Sequence, residues 1–260
     1  MYEPRGFLYE VPSFLDEGGC LASGRTDLTG LAVLREADLL GLSAAEYIYS
    51  MAPINVHQKL LPGNVYHIYN WGNNKENLFK EEANYHYFLK LWRKYIDPVA
   101  DTFVYALMPN HFHFLVRVKT SQVSLSREEE TCEVSALASK SFSNLFNVYS
   151  KAINKRYNRT GSLFQERFKR KLIDSESYFT EIIFYIHANP QKHKLVNDFR
   201  DYEYSSYGAL HLTEPTLIQQ EVLSWFGGRD KFIQYHEKYR EALIEKSFFM
   251  EKENDDDKIL

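Results

Sequence analysis

The first fifty residues of this 260-residue chain contain no lysine, asparagine, histidine or glutamine, yet they hold six of its twelve glycines. Asn55, His57 and Lys59 are the first of their kinds, and from there the chain is rich in Lys, Asn, Tyr and Phe. A boundary is therefore expected near Met51, with residues 1–60 as an N-terminal extension of no assignable role. The stretch LAVLREADLLGLSAAEYIYSM within it has the spacing of an amphipathic helix. Cysteine is nearly absent. Cys20 and Cys132 stand far apart with no CxxC spacing, which excludes a disulfide scaffold and a thiolate zinc ribbon. No run approaches the ~20 apolar residues that span a bilayer. The opening MYEPRGFLYE lacks a basic segment followed by an apolar one, so no secretory signal is expected. These absences point to a reduced, cytoplasmic protein without a membrane partner.

What is present is aromatic and unevenly charged. Tyr and Phe number 19 and 18, and the net charge is −4. Acid gathers at Glu128–Glu133 and in the tail EKENDDDKIL, taken as disordered over 251–260. Base gathers in KAINKRYNRTGSLFQERFKRK, where Lys151, Lys155, Arg156, Arg159, Arg167, Lys169, Arg170 and Lys171 face a single acid, Glu166. A basic cluster on an acidic chain is compatible with a local phosphate-binding surface, and equally with a solvated face.

The periodicities give an order of elements. NVYHIYNW (64–71) reads as a strand ended by the turn cluster Gly72-Asn73-Asn74. Residues 80–96 carry Tyr85, Phe88, Leu89, Trp92 and Ile96 at helical spacing. TFVYALM (102–108) and HFHFLVRV (111–118) are separated only by Pro109-Asn110 and read as a hairpin. Residues 120–134 are polar and are expected to form a mobile loop. A helix is expected from about Ser135 to Tyr157, with Phe142, Leu145, Phe146, Tyr149 and Ile153 on one face. RFKRKLI (167–173) is a fourth strand, and a helix over 175–189 is expected to stop before Pro190. The order βαββαβ followed by a helix predicts an α+β, ferredoxin-like antiparallel sheet with helices on one face. Residues 61–210 then form the main domain. Residues 211–250 form a C-terminal helical segment broken at Gly227-Gly228.

One strand carries unusual chemistry. His111, His113, Leu115 and Arg117 share a face of 111–118, while Phe112, Phe114, Val116 and Val118 share the other. The second set is wholly apolar and belongs to a core; the first is expected to face a site or solvent. Two imidazoles roughly 7 Å apart at Cα can converge on one cation and leave most of its coordination open. Imidazole suits Zn, Mn, Fe and Cu better than Mg. The helix over 175–189 offers further groups, since Tyr185 and Asn189 are four apart and share a face. His187 should point elsewhere. Tyr185 beside a cation is a candidate nucleophile, although a tyrosine in the apolar run IIFYI also reads as core.

The blocks VYHIYNWGNNKENLF, YALMPNHFHFLV, GSLFQERFKRKLI, YIHANPQKHKLV and YEYSSY, in that order, resemble the single-tyrosine HUH transposases, in particular the REP-associated tyrosine transposases. The resemblance covers about residues 62–210. It implies the βαββαβ fold. It implies that His111-Phe112-His113 is the HUH motif, that Asn189 is the third metal ligand, and that Tyr185 is the nucleophile. The implied metal is Mg²⁺ or Mn²⁺, and the implied partner is single-stranded DNA bearing a hairpin. The implied reaction is strand cleavage through a 5′-phosphotyrosine, followed by rejoining. Lys151, Lys155, Arg156, Arg159, Arg167, Lys169 and Arg170 would line the DNA path. Tyr66, His67 and Trp71 are further stacking candidates. The chain departs from the family at Trp71, where N-W-G replaces a frequent N-R-G, and in the acidic stretch 120–134. A non-catalytic nucleic-acid-binding module on the same sheet is the competing reading. A monomer and a homodimer are both compatible with the sequence.

Overall fold

Alternating aromatic and β-branched residues form four strands in a computed structural model of the chain, which describes residues 58–120, 127–173, 176–212 and 215–241. The expected boundary at Met51, the helix before it and the acidic tail lie outside the described residues. The strands are β1 (Val65–Trp71), β2 (Ala100–Met108), β3 (His111–Val118) and β4 (Lys169–Ile173). They form one sheet in the order β2-β3-β1-β4, and every pairing is antiparallel. With helix α1 (Glu82–Tyr95) between β1 and β2 and α2 (Arg127–Arg156) between β3 and β4, this is the split βαβ arrangement expected from the sequence.

The alternation divides the molecule into two cores. Tyr66 and Ile68 of β1 and Phe112, Phe114 and Val116 of β3 meet α1 and α2, through Phe88 and Trp92 on the first helix and Phe142, Leu145 and Tyr149 on the second. Trp92 lies flat on Phe114, ring centroids 3.5 Å apart, and donates its indole N–H to Thr102 Oγ1 at 2.9 Å. The opposite face is not open. Helix α3 (Glu176–Lys192) covers it with Ile182, Ile183 and Ile186, against Val104, Ala106, Met108 and Leu115. The same core takes in α4 (Tyr207–Leu212), α5 (Leu217–Trp225), which reaches the sheet through Trp225 edge-on to Phe103, and a helix over 229–241, here α6. The α5–α6 break falls at Gly227 and Gly228, whose φ values of 79° and 113° suit glycine.

The histidine face of β3, expected to face a site or solvent, is covered by α3 and not open to solvent; alternation reports which residues share a face, not what covers them. Arg117, on that face, is closed by Glu221 Oε1 at 2.6 Å and Asp101 Oδ2 at 3.0 Å. The stretch 127–134, expected as loop, is the first part of α2. Glutamate is a good helix former, so a charge-rich composition does not exclude helix. Pro190 does not stop α3 but lies inside its last turn. Its ring deprives only the Ile186 carbonyl of an i+4 donor, and the chain continues with the N–H of His193 bonded to the Asn189 carbonyl at 2.9 Å.

The β2 edge is covered by the chain after α3. Leu107 N–H donates to the Tyr204 carbonyl and Tyr105 N–H to Ser206 Oγ, at 2.9 and 2.8 Å. The exposed edge is thereby satisfied.

Candidate functional site

The register of β1 against β3 builds the site. Tyr69 pairs with His113 and Trp71 with His111, so the odd positions His67, Tyr69 and Trp71 join the two histidines on one face. In β4, Lys169 and Lys171 oppose Tyr69 and His67 and extend that face. Helix α3 crosses it with Tyr185 and Asn189, spaced i and i+4, and His193 follows just beyond the helix end.

The imidazoles are buried: His67, His111 and His113 are 1%, 3% and 2% exposed. Loss of solvent holds His67 and His111 down to about 3, with the charge of Lys171 adding to the effect at His67 and that of His193 at His111. Burial likewise holds His113 well below the usual range, and the surrounding rings and Lys192 add to it. All three are neutral at physiological pH. His111 Nδ1 stands 2.7 Å from Asn110 Oδ1. A carbonyl oxygen can only accept, so Nδ1 carries the proton and Nε2 keeps its lone pair. His113 Nδ1 is engaged by His67 Nε2 at 2.8 Å, which leaves Nε2 for any other partner. The His111 and His113 ring centroids are 5.2 Å apart and nearly perpendicular.

Asn189 is 1% exposed and donates its amide N–H to the Tyr185 carbonyl at 2.9 Å. Its side chain lies against His111, where it favours the ring's charged form. Its Oδ1 is buried and accepts no hydrogen bond from the described residues. A buried amide oxygen without a donor costs on the order of 1–3 kcal/mol unless a partner arrives. Among the described residues no three His, Cys, Asp or Glu side chains form a metal-binding group. Beside His111, the Asn189 amide oxygen is a further donor that could complete a site with the two imidazoles. Two neutral imidazoles and an orphaned carbonyl oxygen are a donor set that fits a divalent cation with positions left open.

Tyr185 is half-buried. Its ring is edge-on to His113 and His67, at 5.6 and 6.1 Å between centroids. Lys192 Nζ lies 5.2 Å from the Tyr185 ring centre. Tyr69 is pushed up to about 12 by burial and then by Tyr185, so its hydroxyl stays protonated. His193, exposed just beyond the end of α3, is 4.8 Å from the His111 ring centre.

The basic residues named from the sequence are dispersed. Lys169 lies on the histidine face, with Nζ 4.7 Å above the Trp71 ring. Arg170, its neighbour on β4, packs its guanidinium on Phe168 beside the α2 core. Arg159 is bound to Glu76, and Arg156 is 3.5 Å from Glu81. Lys151 and Lys155 are exposed on α2, which packs on the other face of the sheet, and Arg167 is exposed ahead of β4 with φ 56°. His193 was not singled out from the sequence, and His67 was named only as a stacking candidate, not as a neighbour of His113. For His67 the signal was present, because YHIYNW alternates and places it opposite the apolar Tyr66 and Ile68. The register that sets it beside His113 is not written in either strand alone.

Comparison with solved structures finds a likeness to a REP-associated tyrosine transposase bound to a REP hairpin, at 17% identity and a TM-score of 0.42, covering 65% of this chain and 90% of that chain. No family profile and no curated protein matches the chain. No described helix is long and apolar enough to cross a membrane.

Proposed function

We propose that the chain is a metal-dependent, transposase-like endonuclease and strand transferase acting on single-stranded, hairpin-bearing DNA. The observation that carries this is the meeting of Tyr185, two neutral imidazoles and the orphaned Asn189 Oδ1 under one helix. The order of the five sequence blocks supports it independently. His111 and His113, through Nε2, and Asn189, through Oδ1, would hold Mg²⁺ or Mn²⁺. When bound, the cation would polarise the scissile phosphate and offset its developing charge.

The chain's own groups account for the rest. Lys192, with Nζ 5.2 Å from the Tyr185 ring centre, brings positive charge beside the position of the scissile phosphate. The Tyr185 oxygen attacks phosphorus, the P–O3′ bond breaks, and the 3′ oxygen leaves with a proton taken from solvent. The product is a 5′-phosphotyrosine and a free 3′-hydroxyl. A second 3′-hydroxyl attacks the phosphotyrosine, gives up its proton and regenerates Tyr185, so no nucleotide cofactor is consumed. Lys169 and Lys171 on the same face of β4 contact the backbone phosphates.

Labelled hairpin-bearing single strands incubated with the full chain and Mn²⁺ are expected to give an SDS-resistant adduct. Tyr185→Phe abolishes it without loss of DNA binding. Cleavage that persists in Tyr185→Phe would replace tyrosine attack by water attack. Binding with no cleavage under Mg²⁺ or Mn²⁺ would leave a nucleic-acid-binding module.

A further inference from the structure

His67 lies outside the donor set, yet its Nε2 is 2.8 Å from His113 Nδ1, and its ring is stacked 4.6 Å from Tyr69 and 5.0 Å from His113. Both imidazoles are essentially without solvent. A hydrogen bond between two neutral imidazoles has two polarities, and they are not equivalent. If His67 donates, His113 carries its proton on Nε2 and has no lone pair to offer a cation. If His67 accepts, the His113 proton sits on Nδ1 and the Nε2 lone pair is free. His111 is locked in this second form by Asn110.

We infer that His67 is a positioning residue for His113: by accepting its Nδ1–H, it fixes the tautomer and ring orientation in which Nε2 can ligate a divalent cation. The inference rests on the cation-binding reading of the site. The pairing supplies the second partner that metal-ligating histidines require, and loss of such partners typically weakens metal affinity about 10–100-fold. It also assigns a use to a buried polar side chain on β1, at the point where a core position would otherwise be apolar. β1 thus contributes to the chemistry through its register with β3, although none of its side chains ligates.

The test uses the full chain and two substitutions. His67→Leu keeps bulk and removes the acceptor; His67→Gln places an amide oxygen near the position of Nε2. Mn²⁺ affinity is read from the EPR signal of free Mn²⁺, and the His113 tautomer from long-range ¹H–¹⁵N correlations on metal-free protein. Wild type is expected to show His113 as the Nδ1–H form. His67→Leu is expected to lose about 10–100-fold in Mn²⁺ affinity and to move the His113 proton to Nε2. His67→Gln is expected to restore most of the affinity and the original tautomer, which a purely packing role for His67 would not produce. An Nε2–H tautomer of His113 in the metal-free wild type would overturn the inference. So would Mn²⁺ binding that His111→Ala abolishes and His67→Leu leaves intact; that result would spare the site itself. Absence of Mn²⁺ binding in wild type would remove both.

Discussion

Gly72 has an ordinary φ of −63°, so the demand for glycine there is spatial. A Cβ would stand 1.9 Å from the Glu76 carbonyl oxygen. The same glycine donates its N–H to the Asn110 carbonyl at 2.7 Å, and Phe79 donates to the Pro109 carbonyl at 2.9 Å. The turn leading into His111 is thus held by the loop after β1. Gly72→Ala should cost about 1–3 kcal/mol in urea denaturation, and should weaken Mn²⁺ binding more than a core substitution of equal cost. At this scale the sequence was partly legible. His111, His113, Tyr185 and Asn189 stood out as residue types at the right spacings, and the structure brings those four together. The orphaned state of Asn189 Oδ1 was not legible, because it depends on what the neighbouring backbone leaves unpaired.

Along single elements, alternation does most of the sorting. In β4 it puts Lys169 and Lys171 with the histidines and Arg170 with Phe168. Lys169→Ala and Lys171→Ala should each lower the salt slope of single-stranded DNA binding by about 0.7, while Arg170→Ala should leave it unchanged; fluorescence anisotropy across a salt series decides this. In β3 the same alternation gives Phe114 to the α1–α2 core, where Trp92 stacks on it. Phe114→Ala is expected to cost about 3–5 kcal/mol, measured by urea midpoint, with the DNA-binding salt slope kept wherever the variant folds. The sequence order of strands and helices was sufficient for the βαββαβ arrangement. Helix ends were less legible. The charge-rich start of α2 resembles a loop in composition, and Pro190 sits where losing one backbone bond near the helix end is tolerable.

At the scale of the whole fold, five histidines among the described residues are buried and neutral: His67, His111, His113, His187 and His236. His187 Nδ1 bonds His236 Nε2 at 3.0 Å, joining α3 to α6. Burial holds His236 at about 4 and His187 well below its usual range. Each group has a folded value below the unfolded value of about 6.5. Between the two values the unfolded chain binds more protons, so stability is complete above that unfolded value and is lost as pH falls toward the folded values. Each contributes a slope of up to about 1.4 kcal/mol per pH unit, and two acting together would remove about 3. That is a large part of a typical stability of about 5–15 kcal/mol. Urea midpoints should fall steeply between pH 6.5 and 5. A flat profile over that range would contradict the buried, neutral assignment. None of this was legible beforehand, because nothing in the spacing of nine histidines tells which ones a later helix will cover.

Phe112 and His113 are covalent neighbours with separate sets of ring partners. Phe112 meets Phe88, Phe146 and Phe164; His113 meets His67, Tyr69 and Tyr185. Inheritance can act on the two sets separately. If the proposed chemistry is lost in a lineage, His111 and His113 lose that constraint, while Phe112, Phe114 and Leu115 remain under selection for folding. Divergent descendants should therefore substitute positions 111 and 113 faster than 112, 114 and 115, and the size of that difference would date the loss.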